Sequence, residues 1–323
     1  MSDPPQRPVA VEMLNVDPEF AGQRIDNFLM ARVKGVPRSH LYRVLRRGEV
    51  RVNKGRVKPS YRLRAGDLVR IPPVRQAEAP APGRPPEATL RSLADAVLYE
   101  DDRLLVLDKP AGLAVHGGSG LSFGLIETLR LERPDTQLEL VHRLDRDTSG
   151  CLILSKRRST LRDLHEALRD NAMDKRYLAL LAGTLPRAEI LVDAPLLKNT
   201  LRSGERVVRV DAAEGKPART VFRRLRQFGG ATLVEVRLLT GRTHQIRVHA
   251  AHLGAPVAGD AKYGDAEANR RFRALGLKRL FLHAAALTFR ADYMDTPLRV
   301  EAPLPAALES VIRALEAESC PSN

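Results

Sequence analysis

Three short segments hold polar residues of the kind that do chemistry, each where an apolar strand meets a turn. In VHRLDRDTSGCLILSK, a polar loop from His142 to Gly150 runs into an apolar strand, and Arg143, Asp145, Arg146 and Asp147 crowd four charges into five positions. A carboxylate flanked by guanidiniums is favoured in its ionised form, which suits a nucleophile or a base. A salt-bridged turn ahead of a strand accounts for the same residues. In DKRYLALLAG, Tyr177 follows Lys175 and Arg176 at a strand entrance. There it can stack on a nucleobase, worth about 1–3 kcal/mol, or cap the core. In LLTGRTHQIRVHAAHLGAPVAGDAKYG, the Thr240-Gly241 turn opens a helix, and Arg242, His244, Gln245 and Arg247 are placed to meet in one pocket. His249 and His252, at i and i+3, are metal-ligand types, but no Cys and no carboxylate at helical spacing completes a set. GGSG at Gly117–Gly120 lacks the spacing of a hydrolase nucleophile elbow.

The elements that must carry these segments can be read from periodicity. The larger, C-terminal part offers strands at VLYE, LLVLD, GCLILSK, YLALLAG, ATLVEVRLL and FLHAAALTF, with helices at Ser159–Leu168 and His244–Leu253. Strands outnumber helices and do not alternate regularly with them, which predicts an α+β domain with a mixed, mostly antiparallel sheet. Before it lies a smaller pattern. Ile25, Phe28, Leu29 and Val33 share one helical face. Ser39 reads as the N-cap of a second helix with Leu41, Val44 and Leu45 on its inner face and Gly48 at its end. Val50 and Val52, the turn Asn53-Lys54-Gly55, and Asp67–Ile71 read as short strands. Residues 72–88 hold six prolines and predict a semi-rigid linker. The divisions expected are an N-terminal extension over 1–23, a small basic domain over 24–75, a linker over 76–90 and the large domain over 91–315.

The charge is concentrated in the small domain. From Arg24 to Arg75 there are 15 Lys and Arg against 3 Asp and Glu, so this segment carries +12 of the chain's +14. Such a surface faces a polyanion. At 43% hydrophobic the chain of 323 residues is a folded protein of about two domains. No stretch approaches the roughly 18 apolar residues of a membrane span. The N-terminus has no apolar run of a secretory signal, and two cysteines cannot build a disulfide framework. A cytoplasmic protein is expected.

Taken in order, HRLDRDTSG, DKRYLAL and TGRTHQIRVH resemble the three motifs of the RluA-type pseudouridine synthases. DKPAGLAVH resembles that family's opening motif, and GDAKYG and LFLHAAAL its closing segments, so the likeness runs from about Leu98 to Pro303. The basic N-terminal segment resembles the alpha-L RNA-binding motif. The resemblance implies an isomerase that turns uridines of large-subunit (23S) ribosomal RNA, or of its assembly precursor, into pseudouridine after flipping the base. It also implies a monomer with no cofactor, metal or membrane partner. By motif position, Asp145 is the nucleophile, Arg247 pairs with it, and Tyr177 stacks on the target base and takes part in C5 proton removal. Arg143 fills the gap left by the flipped nucleotide. Arg146, Arg242, His244 and Gln245 join it in RNA contact, as do Arg38, Arg43, Arg46, Arg47 and Lys54 in the small domain. The residues leave open two family members with this domain pair and different uridine targets. A catalytically silent assembly factor and a His-based metallohydrolase are the rival readings.

Overall fold

The computed structural model describes residues 11–33, 36–73, 87–117, 123–200 and 206–319, and the chain divides at Arg84/Pro85 into two units. The first contains β1 (Glu12–Asn15), α1 (Ile25–Arg32), α2 (Arg38–Arg47), β2 (Arg51–Val52), β3 (Gly55–Arg56) and β4 (Leu68–Ile71), with sheet order β1-β4-β2-β3. The helical faces read from the sequence are the buried ones: Ile25, Phe28 and Leu29 from α1 meet Leu41, Val44 and Leu45 from α2 over Val52 and Val69. Gly48 closes α2 in the left-handed region at φ 70°, where glycine carries no steric penalty. Asn53 and Lys54, both at positive φ, turn β2 into β3.

Two expectations fail in this unit. Ser39 is not the N-cap. Pro37 stands there with its φ already near the helical value, and its carbonyl accepts from the amides of His40 and Leu41. Residues 11–23 are not an extension outside the domain. β1 pairs antiparallel with β4, and Val16 is buried in the core, because β4 would otherwise present an unpaired edge.

The second unit runs α3 (Glu87–Ala94), β5 (Val97–Glu100), β6 (Leu104–Lys109), α4 (Leu125–Glu132), β7 (Glu139–Leu140), β8 (Ser149–Ser155), α5 (Arg158–Arg169), β9 (Asp174–Ala182), β10 (Glu189–Asp193), β11 (Leu196–Thr200), β12 (Arg206–Val210), β13 (Arg219–Phe228), β14 (Ala231–Leu238), α6 (Gln245–His252), α7 (Ala266–Ala274), β15 (Leu282–Phe289), β16 (Leu298–Glu301) and α8 (Ala306–Ser319). The main sheet has the order β10-β13-β14-β9-β15-β8-β6-β5, with β16 added to β15 and β7 to β8. It is the mixed sheet expected: β15 and β8 pair in parallel, and its other pairings are antiparallel. All seven residues of β8 are buried. One side of the sheet packs Leu152 and Leu154 with α4 and α6, and the other packs Cys151 and Ile153 with Leu164 and Phe289. A strand covered on both faces reads as an uninterrupted apolar run, which is why CLIL stood out.

α3 starts inside the stretch read as linker, because Leu90 and Leu93 are buried. α8 carries the domain past 315. The remaining linker residues, 74–86, and 118–122 of the GGSG segment lie outside the described residues.

β8 and β15 touch at only two registered pairs, His283↔Ser149 and Ala284↔Gly150. Gly150 has φ 109°, and a Cβ there would lie 2.3 Å from the Ala284 carbonyl oxygen. Gly112 has a similar φ of 85° but open space around it. Gly150→Ala is therefore expected to cost about 3 kcal/mol or more, from overlap added to backbone strain, and Gly112→Ala only about 1 kcal/mol. Urea unfolding of the two variants checks this; equal losses would remove the close approach as the cause.

Candidate active site

The loop between β7 and β8 presents Asp145, three-quarters buried, into a cavity of about 810 Å³. Three devices hold the loop. Leu144 is buried in the core. The Thr148 amide donates to the Asp145 carbonyl. The Arg146 carbonyl accepts from both the Gly112 amide (2.9 Å) and Lys109 Nζ (3.0 Å). Lys109 is fully buried at the end of β6, and its ammonium also donates to the carbonyls of Pro110 and Leu113 at 2.7 and 2.8 Å. Burial and the nearby Arg279 cation pull its pKa down to about 7. Three carbonyls accept the three N–H bonds of the charged form, so the site is built for the ammonium. Lys109 ties the DKPAGLAVH segment to the Asp145 loop. Its signal in the sequence was the charged pair Asp108-Lys109 closing an apolar strand.

His142 also lines the cavity. Its Nε2 accepts from the Ile153 amide at 3.1 Å, so the ring stands in for a backbone carbonyl and continues the β7–β8 ladder. Burial drops its pKa to about 4.

The cations that face Asp145 are not its sequence neighbours. Arg143 lies exposed at the cavity rim, and Arg146 points away to Asp147 at 3.2 Å. The expectation that these two guanidiniums flank the carboxylate is corrected: successive residues in an extended turn point apart. Arg247 on α6 places Nη1 3.6 Å from Asp145 Oδ2, and His244 places Nε2 3.9 Å from the same oxygen. Arg247 is nearly buried. Its Nε and Nη2 donate to Asp260 at 2.6 and 2.8 Å, and its guanidinium lies 5.1 Å from the centre of the Tyr263 ring. Burial raises the Asp260 pKa, but the hydrogen bonds and charge of Arg247 and two backbone amides outweigh it and hold the carboxyl below its usual range. Asp260 and Tyr263 sit in the GDAKYG segment, quoted above for resemblance alone and assigned no role.

His244 occupies the N-cap of α6 at φ 53°. The Tyr263 hydroxyl accepts from the Val208 amide at 3.1 Å and lies 2.8 Å from His244 Nδ1. A hydroxyl proton donated to Nδ1 leaves the ring proton on Nε2, which faces Asp145. Burial lowers the His244 pKa, so the neutral ring is the resident form. His244 is a wall of the cavity.

Tyr177 projects from β9, buried, into the same cavity. Burial and the Asp145 charge push its phenol pKa up. Arg242 is exposed and donates from Nε to the Pro217 carbonyl.

Gln245 is a correction. It is buried, its Oε1 accepts from the Arg242 amide and Thr240 Oγ1, and its Nε2 donates to the Arg219 carbonyl and Thr220 Oγ1. No valence is left for RNA; it staples α6 to β13. His249 likewise spends both ring nitrogens, on Thr220 Oγ1 and the Ala194 carbonyl. Among the described residues, no group of three or more His, Cys, Asp or Glu is placed to hold a metal ion. Cys151 is buried and its thiol is pushed up to about 12, so it is inert.

Of the three carboxylates between Arg24 and Arg75, two are turned inward. Asp26 binds Arg24 and the Tyr42 hydroxyl, and Asp67 binds Asn53, Tyr61 and the Arg64 amide. Arg43, Arg46 and Arg47 are exposed on α2 and Lys54 on the β2–β3 turn. Arg38 opens α2.

The cavity thus holds a carboxylate facing an arginine, beside a buried tyrosine, on a mixed sheet. Residues 103–252 match the RNA pseudouridylate synthase family and residues 23–69 the S4 domain. The chain belongs to the pseudouridine synthase family, and is an isomerase of RNA uridine. It is 54% identical over 307 residues to ribosomal large subunit pseudouridine synthase C of Yersinia pestis, covering 94% of this chain and 96% of that one. It is 54% identical over 310 residues to the protein of the same name from Escherichia coli K12, covering 95% and 97%. The solved structure of human RNA pseudouridylate synthase domain containing 4 superposes with TM-score 0.59 at 25% identity, over 71% of this chain and 96% of that one.

The buried histidines set a pH dependence. An unfolded histidine titrates near 6.5, whereas burial lowers the folded pKa of His142, His249 and His283. The unfolded chain therefore binds more protons below 6.5. Stability is full above that pH and falls, by up to about 1.4 kcal/mol per pH unit for each such histidine, towards the folded pKa, about 4 for His142. Urea midpoints at pH 7.5, 6 and 5 should decline, and His142→Gln, which keeps an acceptor for the Ile153 amide, should decline less. A flat profile from 7.5 to 5 would contradict the neutral buried rings.

Proposed function

We propose that this chain isomerises selected uridines of large-subunit ribosomal RNA to pseudouridine, as a cytoplasmic monomer, with Asp145 as the acting carboxylate. The N1–C1′ bond breaks, the uracil turns, C5 joins C1′, and the C5 proton leaves while N1 gains one. Asp145 either attacks C1′ or takes the C2′ proton to release uracil and a glycal. The observation that carries the reading is that Asp145 faces Arg247 Nη1 and His244 Nε2 in the cavity that Tyr177 also lines. At 3.6 and 3.9 Å they face the carboxylate without closing on it in a tight pair.

Tyr177 serves as the wall against which the uracil stacks. Its raised phenol pKa weighs against a phenolate base. Arg143 at the rim is positioned to contact phosphate and fill the vacated stack, offsetting the few kcal/mol of flipping. The names of the 54%-identical relatives support the synthase C assignment. Pseudouridine mapping of large-subunit RNA from cells lacking the gene separates it from the synthase D type.

Asp145→Asn is nearly isosteric but a poor nucleophile and base. It should abolish tritium release from uridine labelled at C5 while leaving RNA affinity within about threefold, on the scale set by removal of a catalytic nucleophile. A rate within tenfold of wild type would sink the assignment.

The S4 unit supplies phosphate contacts through Arg43, Arg46, Arg47 and Lys54. Each contact adds about 0.7–0.9 to the magnitude of the slope of log K against log salt. A chain beginning at Pro85 should therefore bind ribosomal RNA more weakly and with a shallower slope, yet retain its single-turnover rate at saturating RNA. An unchanged slope would mean that the unit does not touch the RNA.

A further inference from the structure

Arg247 is one guanidinium between two carboxylates, and they share it unequally. Asp260 takes the Nε/Nη2 edge in a bidentate pair at 2.6 and 2.8 Å; Asp145 receives only Nη1, at 3.6 Å. Asp260 is buried, and its Oδ1 also accepts the amides of Lys262 and Tyr263 at 2.9 and 3.0 Å. Its turn is braced by Asn269, whose Nδ2 donates to the Asp260 carbonyl and whose Oδ1 accepts from the Gly259 amide. The pair is therefore held rigidly, with the Tyr263 ring beneath the guanidinium. An arginine with a single carboxylate in a partly desolvated pocket closes on it in a fork, because two charge-assisted hydrogen bonds exceed one long contact. A carboxylate so clamped has both oxygens engaged and is a poor nucleophile or base.

We propose that Asp260 is a positioning residue that holds Arg247 off the nucleophile. By occupying the bidentate edge, it leaves Asp145 a counter-charge without a clamp. The proposal rests on the reading of Asp145 as the acting carboxylate. The other titratable groups facing Asp145 are His244 on α6, Tyr177 on β9, Lys109 on β6, and Tyr263 in the same turn as Asp260; none of them offers a guanidinium fork.

Asp260→Asn removes the anion and keeps the shape. Arg247 should then close on Asp145. Single-turnover kcat should fall by about 100-fold, the loss expected of an ångström-scale misplacement, with KM for RNA within about twofold. The acid limb of the rate profile should move about one unit to lower pH, the usual effect of a closer arginine. Asp260→Glu keeps the charge and should leave the limb in place with the rate within about tenfold of wild type. A limb that stays put in folded Asp260→Asn, or one that moves to higher pH, overturns the proposal. If Asp260→Asn does not fold by circular dichroism, Asn269→Ala loosens the same turn with both carboxylates kept. Its limb should move in the same direction by less, and a limb and rate both unmoved overturn the proposal. Asp145→Asn is assayed alongside. An inactive Asp145→Asn with a wild-type Asp260→Asn profile defeats this proposal alone, whereas an active Asp145→Asn defeats the functional reading and this proposal with it.

Discussion

The close parallel contact between β8 and β15 is the constraint on which the site depends. Asp145 precedes β8, Tyr177 lies on β9, and β15 is inserted between those two strands. The gap must be narrow at the loop end of β8, and it is narrowest there: Gly150 lies against the Ala284 backbone with no room for a side chain. The neighbouring residues reinforce the contact. Ser149 Oγ lies 2.9 Å from His283 Nδ1 and accepts from Arg279 at 2.6 Å, and His283 Nε2 binds the Ala302 carbonyl. A glycine and a small polar residue end the HRLDRDTSG motif because backbone has to meet backbone at that point.

Around that contact, the groups lining the cavity are oriented by buried polar and charged side chains whose hydrogen bonds are satisfied. Lys109 gives its three donors to three carbonyls, Asp260 accepts four hydrogen bonds, and Gln245 uses both ends of its amide. A partly satisfied network of this kind would be worse than an apolar core, while a complete one is rigid. Asp145 and the outer edge of Arg247, which meet only at 3.6 Å, face the cavity. The S4 unit uses the same device in reverse: its carboxylates Asp26 and Asp67 go inward to hold the fold, and its cations are left outside for a polyanion.

Much of this protein was determined by sequence alone. The apolar runs LLVLD, CLIL and the strand of Tyr177 are legible because strands buried on both faces need continuous hydrophobicity. The faces of α1 and α2 are legible because helical period is local. The three motifs carry the family and place Asp145, Tyr177 and Arg247 on their elements.

What only the tertiary structure decided is which groups meet. β13, to which the sequence pattern assigned no element, is a strand between β10 and β14, with a bulge that leaves Leu225 exposed; its ladder partners and its buried Phe222 and Phe228 hold it. β1 was invisible because three of its four residues are exposed and show no pattern until β4 offers an edge. The spacing of Arg143, Asp145 and Arg146 suggested one cation set, and the fold supplied another from a helix a hundred residues on. Gln245 and Asp260 changed places, the first from RNA contact to staple, the second from a motif letter to the partner of Arg247. Local period dictates elements. The partner of a buried charge is set by sheet order and register, which bring together residues that no local spacing relates.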